Sequence, residues 1–396
     1  MKKYLTTALV VATPMLAQAQ SSVTLYGVVD NAIEYTVGVP KGHVVQAVSG
    51  NWQPSVFGFL GTEDLGGGLK AIFRLETQFN AFTGATMSGS GSGFTRRSLL
   101  GLSDAKWGTV RLGYFGQEDI GSRIIFIDPQ VFHFYGIATL VRGRNWTLTS
   151  NGIDYTTPTI GGLTFQGQYN LTNNSNWNTA PTNGLGSGPG MLGQAQGRSD
   201  GAQLIYTGVP NLQLRTIYSE IRDGKGQFSN VYTASRSIVF GGVYTMGALQ
   251  FYAGGQYLSA PNASDAGYFS TTPKTYLPPG VTVPSAATHE WIGVAWDINP
   301  AVNLRGAIYH ANANNGNGNA TLYTLSGSYA LSKRTLLYTQ LGYVQNSQTS
   351  NIGLGNGLAD PYGANSNDDP AKGFRSSGPN FGHGQFGAYS GIVTKF

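Results

Sequence analysis

The side chains able to do chemistry in this sequence are sorted by parity. Asp30 and Glu34 share one face of an alternating segment whose other face reads Val23, Leu25, Gly27, Val29, Asn31, Ile33 and Tyr35. Lys70, Arg74 and Glu76 alternate with Leu69, Ala71, Phe73 and Leu75 in the same way. Arg97, Arg111, Arg215 and Arg305 take the corresponding positions in later segments, and Glu118, Asp119, Arg123, Asp128, His133, Arg142 and Arg144 fall in the stretch between 115 and 145. A guanidinium stays charged and presents five donors in a fixed fork. Rows of arginine facing rows of carboxylate would orient water and solute dipoles along a polar passage, which selects solutes without making or breaking bonds. Each charge also has a plainer use. Arg74 and Glu76, two residues apart on one face, can neutralise one another as a weak exposed pair, and Glu118, Asp119 and Asp128 can anchor the stretch that carries them.

Other chemistries find no footing. GTEDLGGGLK at 61 to 70 has glycines and a lysine but not the spacing of a phosphate loop. The five histidines, at 43, 133, 289, 310 and 383, lack metal-ligand spacing. No G-x-S-x-G context offers a nucleophile, and the absence of cysteine removes thiolate chemistry. NSNDD at 365 to 369 carries oxygen ligands of the kind that bind Ca²⁺, but reads as solvated loop. The longest basic run is the pair Arg96 and Arg97, too little for a nucleic-acid face. The sequence therefore predicts no enzyme, no cofactor, no metal and no nucleic-acid partner.

The elements that must position the charges are strands. Of the 396 residues only 11% are charged and 57 are glycine, against roughly 25% charged and 7% glycine in soluble chains. Lys2 and Lys3, the apolar run from 4 to 16 and the triplet Ala17, Gln18, Ala19 form a secretory leader. Cleavage after Ala19 leaves residues 20–396 as one domain, with 22 basic and 19 acidic residues and a net charge of +3. No later apolar run is long enough for a spanning helix. Sixteen alternating segments follow, starting near residues 23 and 69 and centred near 57, 99, 111, 154, 166, 204, 215, 240, 252, 293, 305, 325, 340 and 391. Short Gly, Asn and Asp turns alternate with long polar connections such as 171 to 200, 259 to 287 and 347 to 383. This is the pattern of an antiparallel transmembrane β-barrel. A secreted β-rich binding or adhesion protein would share the alternation, but three features favour the barrel. Charges recur on one face of adjacent strands, where a dry core would not accept them. Aromatic residues such as Tyr35, Phe79, Tyr169, Tyr218, Tyr257 and Tyr343 sit near strand ends. The chain also finishes on an alternating strand at Phe396.

SSVTLYGVVD at 21 to 30, GTEDLGGGLKAIFRLE at 61 to 76, RRSLLGL at 96 to 102, GTVRLG at 108 to 113, RNW at 144 to 146, IDYTTPTIGGL at 153 to 163 and LSKRTLLY at 331 to 338 occur in an order that resembles the general porins of β-proteobacteria. The resemblance implies a homotrimer of sixteen-stranded barrels in the outer membrane, in contact with lipid and lipopolysaccharide. Each barrel would form a water-filled channel for passive diffusion of ions and small hydrophilic solutes. It also implies a third extracellular loop, here 115 to about 145, folded inward as a constriction, with Arg97 and Arg144 fitting the family's pattern; strand parity adds Arg74 and Glu76 to the expected lining, and the loop adds Glu118, Asp119, Asp128 and Arg142. The match to the family's arginine ladder is partial, because Val56, Leu60 and Tyr114 stand where arginines are usual. The expectation is a weak anion preference at most, and the departures motivate a substrate-specific channel as the alternative.

Overall fold

Alternation of β-branched and aromatic residues with polar ones suits a pleated sheet that meets different media on its two faces. The computed structural model describes residues 22–39, 42–86, 93–116, 118–131, 133–145, 151–170, 196–223, 231, 235–262, 284–314, 318–354 and 379–396. The expected leader and the NSNDD motif lie outside the described residues. The strands are β1 (Ser22–Val39), β2 (Gly42–Ser49), β3 (Val56–Gly66), β4 (Leu69–Gln78), β5 (Arg97–Asp104), β6 (Gly108–Tyr114), β7 (Gly152–Thr156), β8 (Leu163–Asn170), β9 (Gln196–Tyr206), β10 (Leu212–Asp223), β11 (Arg236–Met246), β12 (Leu249–Ser259), β13 (Ala286–Asn299), β14 (Val302–Ala313), β15 (Ala320–Ala330), β16 (Thr335–Asn346) and β17 (Gln385–Lys395). Every pairing is antiparallel, almost all between neighbours in sequence, and β1 meets β17 from Val28 opposite Lys395 to Val37 opposite Phe386. The ring is therefore closed, with no unpaired edge to satisfy in hydrocarbon. Phe396 completes the seam by exchanging backbone hydrogen bonds with Gly27.

The wall has sixteen strands although the described residues form seventeen. β2 pairs with the upper half of β1 and β3 with its lower half, so the two are halves of one wall strand interrupted at residues 50–55. Sequence alternation identifies β3 and overlooks β2. The interruption is built on Asp30, whose Oδ2 accepts the backbone N–H groups of Trp52 (2.8 Å) and Gln53 (2.9 Å). Ser55 Oγ in turn accepts from the Asp30 N–H at 3.0 Å. Gly50 turns the chain at φ +87°, a conformation that L side chains disfavour.

The polarity of the wall is inverted relative to a soluble protein. Ile33, Leu100, Phe240, Ile292 and Leu325 stand exposed on one parity, while Asp30, Glu34, Glu76, Asp154, Gln203 and Gln340 are buried on the other. Tyr35, Tyr218, Tyr257 and Tyr343 share the outward parity near one rim. That rim carries the longer connections, and the opposite one carries the short turns at 67–68, 105–107, 247–248 and 300–301. An apolar exterior over a polar interior is what a strand barrel needs in lipid.

If Phe240 faces lipid, Phe240→Lys will destabilise the folded barrel by about 2 to 4 kcal/mol in vesicles. Leu60→Lys, on the inward parity, will change it by less than about 1 kcal/mol. Urea titration in lipid vesicles reads both, and equal effects would contradict the inside–outside assignment.

Candidate functional site

Five arginines and three carboxylates meet along the inner side of β4 to β7: register places Arg74, Glu76, Arg97, Arg111 and Asp154, Arg96 precedes β5, and Glu118 and Arg123 come from the stretch after β6. Glu76, on β4, receives Arg74 Nη2 at 2.9 Å, Arg96 Nε at 2.7 Å and Arg97 Nη1. The Tyr26 hydroxyl donates to its Oε2 at 2.7 Å. Glu118, just after β6, is approached by Arg97 Nε, by Arg111 Nη1 at 2.8 Å, by Arg123 Nη2 at 3.2 Å and by Arg74 Nη1 at 3.5 Å. Asp154, opposite Arg111 in the β6–β7 register, accepts from Arg111 Nε at 3.0 Å and from Gln166 Nε2 at 2.9 Å. Five guanidiniums against three carboxylates leave a surplus of two positive charges. Arg74 is the most exposed member, its side chain 37% exposed against 1% for Glu76, while Arg96 and Arg97 are buried nearly as deeply as the acids.

Electrostatics holds Glu118 in its charged form. Burial alone would push the Glu118 carboxyl up, but Arg123, Arg97 and Arg111 outweigh it and hold the group well below the usual carboxylate range. Such a carboxylate, shared among several cations, is a positional anchor, since removing one partner of a buried pair leaves charge uncompensated.

Residues 115 to 145 take a different role from a simple acidic screen. Asp119 caps the 3₁₀ helix Ile120–Ile127 through the Gly121 N–H (2.9 Å) and accepts from Ser199 Oγ of β9 at 2.7 Å. Asp128 accepts from the Tyr309 hydroxyl of β14 at 2.5 Å and from the Gln130 N–H at 3.0 Å. Both are buried, an arrangement that suits the anchoring use that the sequence left open for them. The same stretch bonds to inward side chains around the wall. The Ile120 N–H donates to Gln168 Oε1 (2.9 Å), Trp291 Nε1 donates to the Ile127 carbonyl (2.8 Å), and the Tyr135 hydroxyl donates to Glu34 Oε1 (2.6 Å). Ile120, Ile124, Ile127, Tyr135 and Leu140 join wall residues Ile217, Val239, Tyr309 and Leu322 in one apolar cluster. Two inward glycines make room for it. A Cβ at Gly241 would lie 2.8 Å from Ile127 Cδ1, and one at Gly342 would lie 2.8 Å from Tyr135 Cδ2. His133 stacks on Trp52 at 3.4 Å between ring centroids, and burial holds its imidazole well below the ordinary range.

The remaining expected positions divide. Arg215 donates to Gln203 Oε1 at 2.7 Å and lies over the Phe126 ring at 4.5 Å, and Arg305 Nη1 donates to the Pro129 carbonyl at 2.9 Å. Lys70 is exposed near the short-turn rim. The backbones of Arg142 and Arg144 lie in the short helix Ala138–Asn145, and their side chains fall outside the described residues. Val56 is buried, Leu60 is 41% exposed on the inward parity, and the Tyr114 hydroxyl donates to the Thr95 carbonyl. Arg96, Asp154 and Tyr26 are partners that the sequence reading passed over. Arg96 precedes the regular part of β5, where parity gives no guide. Asp154 is separated from Arg111 by the long 115–151 connection, so no turn fixes their register in sequence.

Comparison with known proteins follows this geometry. A sequence model of the family described as Gram-negative porin matches residues 6–349. Outer membrane porin protein 32 of Delftia acidovorans is 28% identical over a 407-residue alignment that covers 100% of both chains. An outer membrane porin protein of Bordetella pertussis is 28% identical, covering 87% of this chain and 94% of the relative. Among solved structures, the anion-selective porin from Comamonas acidovorans has a TM-score of 0.72 at 23% identity, with 95% of this chain and 100% of that chain covered.

The two buried acids will answer pH with opposite signs. Glu118 is depressed, so its contribution is complete above the ordinary carboxylate range and disappears as pH falls toward its folded value. Glu118→Gln will lower stability by about 3 to 5 kcal/mol at pH 7 and flatten the acid limb. Burial pushes Asp128 up to about 6 against its hydrogen bonds from Tyr309, Gln130 and Ile137. Its native state binds the proton more tightly, so stability falls as pH rises through that value. Asp128→Asn will raise stability by about 2 to 3 kcal/mol at pH 8 and leave it little changed at pH 4. Unfolding midpoints across pH for the two variants check both signs.

Proposed function

The chain belongs to the Gram-negative porin family, and on that premise we propose that its channel prefers anions because a surplus of guanidinium charge lines the passage. The protein is an outer-membrane channel for passive diffusion of ions and small hydrophilic solutes. The observation that carries the anion preference is the charge balance of the cluster, five arginines to three enclosed carboxylates, with Arg74 and Arg111 its most exposed members. A hydrated ion passing the inner wall meets the Arg74 and Arg111 guanidiniums more readily than the enclosed carboxylates. Charged linings of this kind set the sign of selectivity. The burial of Asp119 and Asp128 removes the acids that would have opposed it, which supports a stronger preference than composition alone implies.

In the same reading the 115–145 stretch is the constriction: anchored across the barrel by Asp119, Asp128, Tyr135 and its apolar cluster, it divides the interior into a filled sector and an open arginine-lined one. The leader is removed after Ala19, and the mature barrel assembles as a homotrimer.

A second reading, a channel with a preferred organic solute, rests on two inward apolar surfaces. Leu60 is 41% exposed near Arg74, and Phe126 is 43% exposed beneath the Arg215 guanidinium. An anion with an apolar body would gain at both, whereas an inorganic ion would gain nothing from either.

Planar-bilayer recording in a salt gradient tests the reading, the expected reversal potential having the sign of anion passage. Arg97→Glu will shift that potential toward cations, and an unchanged value would place Arg97 outside the conducting path. Block of chloride current by benzoate but not by acetate would favour the solute-specific reading; equal insensitivity to both would exclude it.

A further inference from the structure

Arg215 is an inward arginine with no carboxylate beside it. The five guanidiniums of the β4 to β7 cluster each pair with at least one acid, and Arg305 lies in the field of Asp128. Arg215 forms no ion pair among the described residues, and the charge that bears on it is that of Arg123, which is also positive. Its partners are neutral amides: Nε donates to Gln213 Oε1 at 3.2 Å, and Nη1 donates to Gln203 Oε1 at 2.7 Å. Among the described residues neither Arg215 Nη2 nor Gln213 Nε2 makes a hydrogen bond, and neither atom is sealed from solvent. Two donors therefore point from one stretch of β10, near the end that follows the short 207–211 turn.

An apolar surface adjoins the same donors. The Arg215 guanidinium lies 4.5 Å from the centroid of the Phe126 ring, and Phe126 is 43% exposed although its neighbours Ile125 and Ile127 are buried. Register sets Ile205 and Gly241 on either side of Arg215 and Val243 beside Gln213. Ile127 fills the space over Gly241, so the end of the 3₁₀ helix that carries Phe126 rests against the wall at this point. Ile205 and Val243 are half-buried and extend the apolar shelf. A small apolar surface with a few convergent polar groups is the make-up of a small-molecule site.

We infer that Arg215, Gln213 and Phe126 form a binding site for aromatic monocarboxylates, reached from the short-turn mouth of the barrel. A carboxylate supplies the counter-charge that Arg215 lacks, through charge-assisted hydrogen bonds from Nη2 and from the Gln213 amide. An aromatic body packs against the exposed Phe126 ring in an offset or edge-on arrangement. Chloride and phosphate share the attraction to the guanidinium but gain nothing from the ring, and acetate gains the carboxylate contacts alone. The site rests on the solute-specific reading above and assigns it to the Arg215 and Phe126 surface in preference to that of Arg74 and Leu60, because Arg74 already has Glu76 and Glu118 as partners.

The test titrates benzoate, acetate and inorganic phosphate into the purified, detergent-folded full-length protein and follows binding by calorimetry. Benzoate will bind in the millimolar range or tighter, and acetate about tenfold more weakly. Phe126→Ala will weaken benzoate about tenfold and leave acetate unchanged. Arg215→Gln will weaken both carboxylates by about tenfold or more, and Arg215→Lys, which keeps the charge but not the fork, will recover part of the loss. Phe126→Leu keeps an apolar side chain on the helix and will weaken benzoate about threefold, so the site stays testable if the alanine variant fails to fold. Absence of benzoate binding to the unaltered protein would overturn the site, as would benzoate affinity unchanged in Phe126→Leu and Arg215→Lys. Benzoate affinity that falls in Leu60→Ser but not in Phe126→Ala would overturn this site while leaving the solute-specific reading in place. The reversal potential of the unaltered channel is read alongside: anion passage without benzoate binding rejects the site alone, whereas cation passage rejects the anion preference whatever benzoate does.

Discussion

Closure of the strand ring is the constraint on which the rest of this molecule depends. In hydrocarbon a backbone N–H or C=O without a partner costs several kcal/mol, so a sheet can enter lipid only when its first and last strands meet. The β1–β17 pairing and the backbone exchange between Gly27 and Phe396 meet that requirement. Once the ring is closed, parity does the sorting: one set of alternate residues must be apolar toward lipid, and the other set is free to carry charge. The low overall charge and the concentration of that charge on inward positions are two sides of one requirement.

A sixteen-stranded ring is too wide to be filled by its own wall side chains. The inner surface therefore falls into two regimes. Over β8 to β17 the wall presents Ile217, Val239, Tyr309 and Leu322, with glycine at Gly241 and Gly342, and the 115–145 stretch packs there as a small apolar core. Over β4 to β7 the wall presents arginines, and the same stretch contributes Glu118 and Arg123 to hold them. One segment thus joins a packing problem to an electrostatic one. Glu118 is the junction, since it lies in the packed stretch and gathers four guanidiniums from both wall and loop.

Acid beneath base is a repeated device in this barrel. Glu76 on the inner side and Glu220 on the outer side each hold several guanidiniums, with Arg74 and Arg198 more exposed than the acid that holds them. A buried carboxylate alone would be costly, and clustered arginines alone would repel one another. Together they fix a patch of positive potential with defined geometry.

The sequence by itself determined the parity of nearly every strand, and with it the inward placement of Asp30, Glu34, Arg74, Glu76, Arg97 and Arg111, because a period of two leaves no alternative once one face must be apolar. It also determined the closed all-β architecture, through strand number and turn spacing. Tertiary structure alone decided which charges meet. Arg111 and Asp154 are brought together by a register set across the long connection between β6 and β7, which no local turn specifies. Asp119 and Asp128 became anchors because Ser199 and Tyr309, distant in the chain, offered donors where the 115–145 stretch comes to rest. The split of the second wall strand depended on Asp30 finding the backbone of Trp52 and Gln53. Periodicity reports the medium that each side chain faces, whereas partners are fixed only when closure and packing bring remote segments within hydrogen-bonding distance.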